Sequence, residues 1–324
     1  MKTAAVTGLG LSHLSFATKG TLAGKRVGII GLDTSHSTAF TKVLNAAEPD
    51  AAYQGYRVVA AYPQGSKDIE SSVKRIPEYT DIVKNLGVEI VDSIADLLTK
   101  VDVVLLETND GRLHLEQVLP VLKAGKRVFI DKPIAGSLAD AVAIFEASKR
   151  YNVPLFSASS LRYIKGVEGL DKKTVVGADT FSPAVLEKTH PDLFWYGVHG
   201  VETLFTVMGT GCKSVERIHT DLTDIVVGTW SDGRVGTFRG TRSGKHGYGG
   251  TVFTEAGNIV LGPYAGYEPL LKEIIQFFET GTPPVSPAET LEIFAFMEAA
   301  DESKRQNGAS VTLESVMKKV KAKK

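Results

Sequence analysis

Cysteine is nearly missing: Cys212 stands alone in 324 residues, which excludes an internal disulfide and a cysteine-based metal centre. No run of about 20 apolar residues occurs, so no segment reads as a membrane-spanning helix. An excess of one charge sign is missing too. Lys plus Arg and Asp plus Glu both number 37, and such a balance gives no field to draw the chain onto nucleic acid or an anionic membrane. The terminal lysines Lys318, Lys319, Lys321, Lys323 and Lys324 read as a solvated helix end. Repeats and low-complexity stretches are also lacking. What is present is a globular composition, 43% hydrophobic with a mean hydropathy of zero, at a length that suits about two domains.

Residues 1–20, MKTAAVTGLGLSHLSFATKG, set a Lys ahead of a short apolar run of small residues, with Ser15-Phe16-Ala17 before polar residues. Two readings stand: an export leader that would carry the chain to the periplasm, or a flexible extension of a cytoplasmic protein. The run resembles the second half of a twin-arginine leader, although no Arg pair precedes it.

From Lys25 onward, short apolar strands alternate with helical patterns. Strands are expected at Lys25–Gly31, Arg57–Tyr62, Leu86–Val91, Val101–Leu106, Arg127–Ile130 and Pro154–Phe156. Helices are expected after Asp33-Thr34-Ser35, around Ile94–Leu98, over Leu115–Ala124 with Gly125 as its cap, and over Ala139–Arg150. That alternation indicates a doubly wound parallel sheet over residues 21–157. Residues 158–324 change character. Paired strands such as Ile225–Trp230 and Arg234–Arg239, joined by Ser231-Asp232-Gly233, indicate an α+β domain with a mostly antiparallel open sheet, and a helix over Pro287–Gln306 closes it.

Five local sequences, in order, resemble the Gfo/Idh/MocA (glucose–fructose oxidoreductase and inositol dehydrogenase) family. They are the strand Val103–Leu106 with Glu107-Thr108-Asn109 and His114; Ala124-Gly125-Lys126 through Asp131-Lys132-Pro133; Leu161-Arg162-Tyr163; Gly197-Val198-His199 with Glu202 and Gly209; and Phe277 through Gly308. The resemblance covers the chain from Lys25 on. It implies NAD or NADP as cofactor and a sugar, cyclitol or related polyol as substrate. It also implies that Lys132 holds the reacting hydroxyl and that His199 takes its proton. Physical chemistry agrees: an ammonium past the end of a parallel strand can stabilise an alkoxide, and imidazole suits a base near neutral pH. The plainer alternatives are a Lys in a surface turn and a His at the edge of the core. Glu202, one helical turn on, would orient the ring or bind substrate, unless it simply faces solvent. Thr108, Asn109, His114 and Asp131 are placed with the cofactor, and Arg162 and Tyr163 with the substrate. Relatives dimerise through the second sheet, so a homo-oligomer is expected there.

Three departures stand out. The nucleotide loop Gly31-Leu32-Asp33-Thr34-Ser35-His36 keeps only the first glycine of G-x-G-x-x-G. Asp33 would meet the diphosphate with like charge or would cap the first helix, while Thr34, Ser35 and His36 retain donors. Tyr62 ends the second strand where a ribose-reading acid belongs. Trp195 falls where the family has its Asp; with Tyr196 it would line the apolar face of a sugar, or else belong to core or a dimer contact. No metal site is expected. The altered loop leaves two alternatives to a dehydrogenase: a cofactor-poor sugar-binding or regulatory protein of the same fold, or a glycosidase or lyase with tightly held NAD.

Overall fold

The computed structural model describes residues 24–322; the proposed leader lies outside them. The first domain runs β1 (Arg26–Ile30), α1 (Ser35–Leu44), β2 (Arg57–Tyr62), α2 (Glu70–Asn85), β3 (Glu89–Ile90), α3 (Ile94–Lys100), β4 (Val103–Leu106), α4 (His114–Lys123), β5 (Val128–Ile130), α5 (Leu138–Tyr151) and β6 (Leu155–Ser157). The second follows with β7 (Val175–Pro183), α6 (Asp192–Trp195), α7 (Val198–Met208), β8 (Cys212–His219), β9 (Thr223–Trp230), β10 (Val235–Thr241), β11 (Gly249–Thr254), β12 (Gly257–Leu261), α8 (Glu268–Thr280), α9 (Pro287–Arg305), β13 (Val311–Thr312) and α10 (Leu313–Ala322).

The first sheet is wholly parallel, in the order β3-β2-β1-β4-β5-β6. Its central strands are apolar along their length because helices cover both faces; all four residues of β4 are buried. The strand order reverses between β1 and β4, and in such sheets ligands bind in the crevice at that switch point. Gly31 is what lets β1 turn there. Its φ is +87°, and a Cβ would come within 2.6 Å of the Thr108 backbone, so a larger residue meets both strain and backbone.

The second sheet has seven strands in the order β12-β11-β7-β10-β9-β8-β13. It is antiparallel except where β10 pairs with β7. Alternate residues of β7, β9 and β10 are buried; they face α7 and α9, where Phe205 stacks against Trp230 and Phe296. The opposite face is open and carries exposed Val176, Phe181 and Val235.

Two features differ from the expectation. α8 leaves the second domain's sequence to pack on the first, with Leu270, Ile274, Phe277 and Phe278 in one core with Val27, Ile29 and Phe156. A boundary at residue 157 therefore separates the sheets but not the packing. The β3 strand is also much shorter than Leu86–Val91, because it sits at the sheet edge and pairs only through Ala60 and Ala61.

Candidate functional site

The carboxyl ends of β1, β4 and β5, the short turn after β6 and the start of α7 converge on a cleft of about 130 Å³. Among the residues lining it are Thr34, Ser35, His36, Asn109, Asp131 and Lys132 of the first domain and Tyr196 and His199 of the second. A larger open hollow of about 660 Å³ lies by Lys172, Lys173 and Arg234, where β7 and β10 begin; it holds none of the residues expected to do chemistry.

Lys132 and His199 are brought together as expected. The Lys132 ammonium lies 6.0 Å from the Tyr196 ring centroid. His199 is 6% exposed; burial, then the charges of Lys132 and His36, hold its pKa well below the ordinary 6.5. It is therefore neutral at neutral pH. Its Nδ1 is 2.6 Å from the Ser159 hydroxyl, which also accepts from the Leu161 N–H.

Glu202 does not orient that ring, nor does it face solvent. It is 5% exposed, and its carboxylate accepts from the Ser159 N–H at 2.9 Å and from Arg162 Nε at 2.9 Å. Arg162, placed with the substrate from sequence, spends its guanidinium on Glu202 and on Glu289 at 2.7 Å. The pair braces the turn carrying Ser159, so both act on His199 only through Ser159. Tyr163 packs beside the core under α8, and Trp195 packs against His190 at 5.0 Å between ring centroids; neither lines the cleft. Of the proposed substrate aromatics only Tyr196 does.

His114 is withdrawn as well. It is fully buried, with Nε2 2.7 Å from the Thr108 carbonyl and Nδ1 3.1 Å from that of Ile134, so it ties the loop after β4 to that after β5. Thr108 is buried beneath Gly31. Tyr62 lines a separate hollow of about 240 Å³ with Gln64, Gly65 and Lys67.

Asp33 neither caps α1 nor points at its N-terminus. Thr34 occupies the cap position without a side-chain bond. The Asp33 carboxylate is completely buried and accepts from the Ser66 N–H and the Asn109 N–H, each at 2.9 Å. It thus bridges the segments following β2 and β4 across the end of β1. Burial lifts its pKa to about 6, against those hydrogen bonds.

Beneath the cleft, Asp131 Oδ1 is 2.9 Å from His36 Nδ1. Burial pushes Asp131 up, but His36 and Lys132 outweigh it and leave its pKa below the usual range. Glu107, also fully buried, is held well above the carboxylate range by burial and by Asp131.

The cleft has residues the motifs did not disclose: Arg75, Ser160, Tyr248, Tyr264 and Tyr267. Ser160 Oγ is 2.9 Å from the Tyr264 hydroxyl and Ser35 Oγ is 3.1 Å from that of Tyr267. Tyrosines set among glycines in Gly247-Tyr248-Gly249 and Gly262-Pro263-Tyr264-Ala265-Gly266-Tyr267 were the available signal, since large rings on tight loops commonly face ligands.

Residues 25–159 match the model of a family described as "Oxidoreductase family, NAD-binding Rossmann fold". Inositol 2-dehydrogenase 3 of Saccharopolyspora erythraea is 29% identical over 141 residues, 42% of this chain and 36% of that protein. An inositol 2-dehydrogenase of Gluconacetobacter diazotrophicus is 33% identical over 99 residues, 30% of this chain and 29% of the other. The chain thus spans about a third of the length of the curated relatives it matches. Solved structures extend the likeness of fold. A probable dehydrogenase from Thermotoga maritima superposes with a TM-score of 0.71 at 21% identity, covering 90% of this chain and 99% of that one. The Lactobacillus casei myo-inositol dehydrogenase, solved with NAD(H) and myo-inositol, gives 0.69 at 17% identity, covering 89% and 96%.

Proposed function

We propose that the chain, whose residues 25–159 match the model of an NAD-binding oxidoreductase family, is an NAD(P)-dependent dehydrogenase of the Gfo/Idh/MocA type acting on a sugar, cyclitol or related polyol. The observation that carries this reading is the pairing of Lys132 with a neutral, buried His199 in one cleft walled by tyrosines. Tyr248 and Tyr264 are kept protonated by burial, Tyr248 up to about 12, so their hydroxyls are donors to a polyol. The inositol dehydrogenases among the relatives support the substrate class.

The donor set suits a dinucleotide at both ends. The N-terminus of α1 opens into the cleft beside Ser35, Arg75 and Thr34, whose hydroxyl is buried without a partner among the described residues; such a helix start suits an anion. Tyr62 and Lys67 line the hollow suited to an adenosine end. Between them Asp33 ties Ser66 to Asn109, which places a buried acid between the two hollows. A bound nicotinamide would supply the hydride acceptor. The chain's own contribution is to hold the hydroxyl at Lys132 and take its proton at His199. In the tautomer that donates Nδ1–H to Ser159, Nε2 has its lone pair free for that proton.

The Asp33 tie also favours a second reading, a polyol-binding or regulatory protein of this fold without redox turnover. Purified chain incubated with NAD, NADP and a polyol panel, followed by nicotinamide absorbance and by calorimetric titration, separates the two. Reduction with at least one pair supports the dehydrogenase; polyol binding without nicotinamide binding supports the other. Self-association is expected at the open face of the second sheet, through Val176, Phe181 and Val235.

Because burial has already emptied His199 of its proton at neutral pH, kcat/KM for polyol oxidation should show no acid limb near pH 6.5. A limb at or above 6.5 that disappears in His199→Asn would overturn the buried base. Ser159→Ala should lower kcat by about tenfold, the worth of one hydrogen bond of about 1.4 kcal/mol, with KM little changed. Loss confined to KM would show that Ser159 touches substrate instead.

A further inference from the structure

His36 stands at the third glycine's place in the altered nucleotide loop, and the dehydrogenase reading gives its imidazole no task. His36 sits in the first turn of α1, Glu107 directly follows β4 and Asp131 directly follows β5. Three adjacent strands thereby bring one imidazole and two carboxylates to one point. His36 Nδ1 is 2.9 Å from Asp131 Oδ1 and 3.9 Å from Glu107 Oε2, and the three donor atoms lie within 4.8 Å of one another. Glu107 and Asp131 are fully buried and His36 is 5% exposed. Among the described residues neither oxygen of Glu107 has a hydrogen-bond partner, and Asp131 Oδ2 has none either. Lys132 forms no salt bridge with either acid among the described residues.

We propose that His36, Glu107 and Asp131 bind one divalent transition-metal ion, of the Mn²⁺, Fe²⁺ or Zn²⁺ kind. Of the four oxygens on these two buried carboxyl groups, three have no hydrogen-bond partner among the described residues, and buried acceptors of that kind call for a ligand beyond the single imidazole between them. One nitrogen and two carboxylate oxygens form a donor set for these ions rather than for soft ones. Metal–ligand bonds of about 2.0–2.2 Å set neighbouring donors roughly 3–3.5 Å apart, so side-chain shifts of about 1 Å close the shell. His36 and Asp131 also line the cleft that Lys132 and His199 share, so coordination positions left open by the protein would be reachable from it. A substrate with vicinal hydroxyls can take them.

Chelator-stripped full-length chain is titrated with MnCl₂ and with ZnCl₂ by calorimetry, and bound metal is counted by mass spectrometry. One equivalent per chain is expected for at least one of the two. Glu107→Gln and His36→Ala should each weaken it by at least the roughly 10–100-fold that loss of an outer-shell partner costs. Asp179→Asn, exposed on β7, should leave it unchanged. Failure of the wild type to take up stoichiometric metal at millimolar concentration overturns the proposal, as does uptake that survives both ligand variants. If Glu107 holds a proton instead, Glu107→Gln raises Tm and metal does not move the wild-type Tm, which also overturns it. A chain that binds metal but no nicotinamide nucleotide overturns the dehydrogenase reading alone.

Discussion

Lys132→Met should lower turnover roughly 10²–10³-fold, the usual effect of removing one donor aimed at a developing oxyanion, while the chain stays folded and KM for polyol changes little. The side chain keeps its methylenes in methionine, and among the described residues the ammonium has no salt bridge to lose. Its charge does face Glu107 and Asp131 and acts on His199, so a modest fall in Tm, of a few degrees, accompanies the loss. Steady-state kinetics with thermal melts on the same preparation checks this. Turnover within tenfold of wild type, or unfolding at room temperature, would return Lys132 to a structural role.

Asp33→Gly should destabilise the chain by about 2–4 kcal/mol. The substitution leaves the Ser66 and Asn109 N–H groups buried without an acceptor, at about 1–3 kcal/mol each, offset in part because a desolvated carboxylate goes with it. A simple like-charge relief at a diphosphate would leave Tm unchanged, and loss of a helix cap would cost less; the structure favours neither. The loss should also depend on pH. The folded pKa of about 6 lies above the ordinary 3.8, so the folded chain holds a proton that the unfolded chain has released between about pH 4 and 6. The stability from that proton is fully present below about pH 4 and gone once pH has risen past 6, a span of roughly 3 kcal/mol. Denaturant melts of wild type and variant should therefore differ more at pH 4.5 than at pH 7.5. An equal gap at both would show that Asp33 is not desolvated.

Much of the fold was legible because its signals are local. Apolar runs ending in glycine, such as Val27–Gly31, mark strands buried on both faces, and Ala124-Gly125 marks a helix end; β4, α4, α5 and α9 fall within a few residues of their expected places. α2 and α8 were harder to see. α2 is polar over most of its surface with only Ser72 and Val83 buried, and α8 belongs by sequence to one domain and by packing to the other.

The site divides along the same line. Lys132 and His199 could be named from sequence because each sits in a local motif, Asp131-Lys132-Pro133 and Gly197-Val198-His199. The partners of individual polar atoms could not. Glu202 lies one helical turn from His199, yet the distance that counts is to Ser159 and Arg162, about 40 residues away. Asp33 looked like a carboxylate aimed at a ligand, and only the convergence of the β2 and β4 segments shows both its oxygens engaged. His36, Glu107 and Asp131 carry no metal-binding spacing; they meet because β1, β4 and β5 are neighbours in the sheet. The sequence by itself determined the two-sheet architecture and placed Lys132 and His199 in recognisable motifs, since those rest on runs of adjacent residues. Which polar groups are free to act and which are consumed as struts was decided by tertiary structure alone, because a buried hydrogen bond links residues that the chain's order leaves far apart.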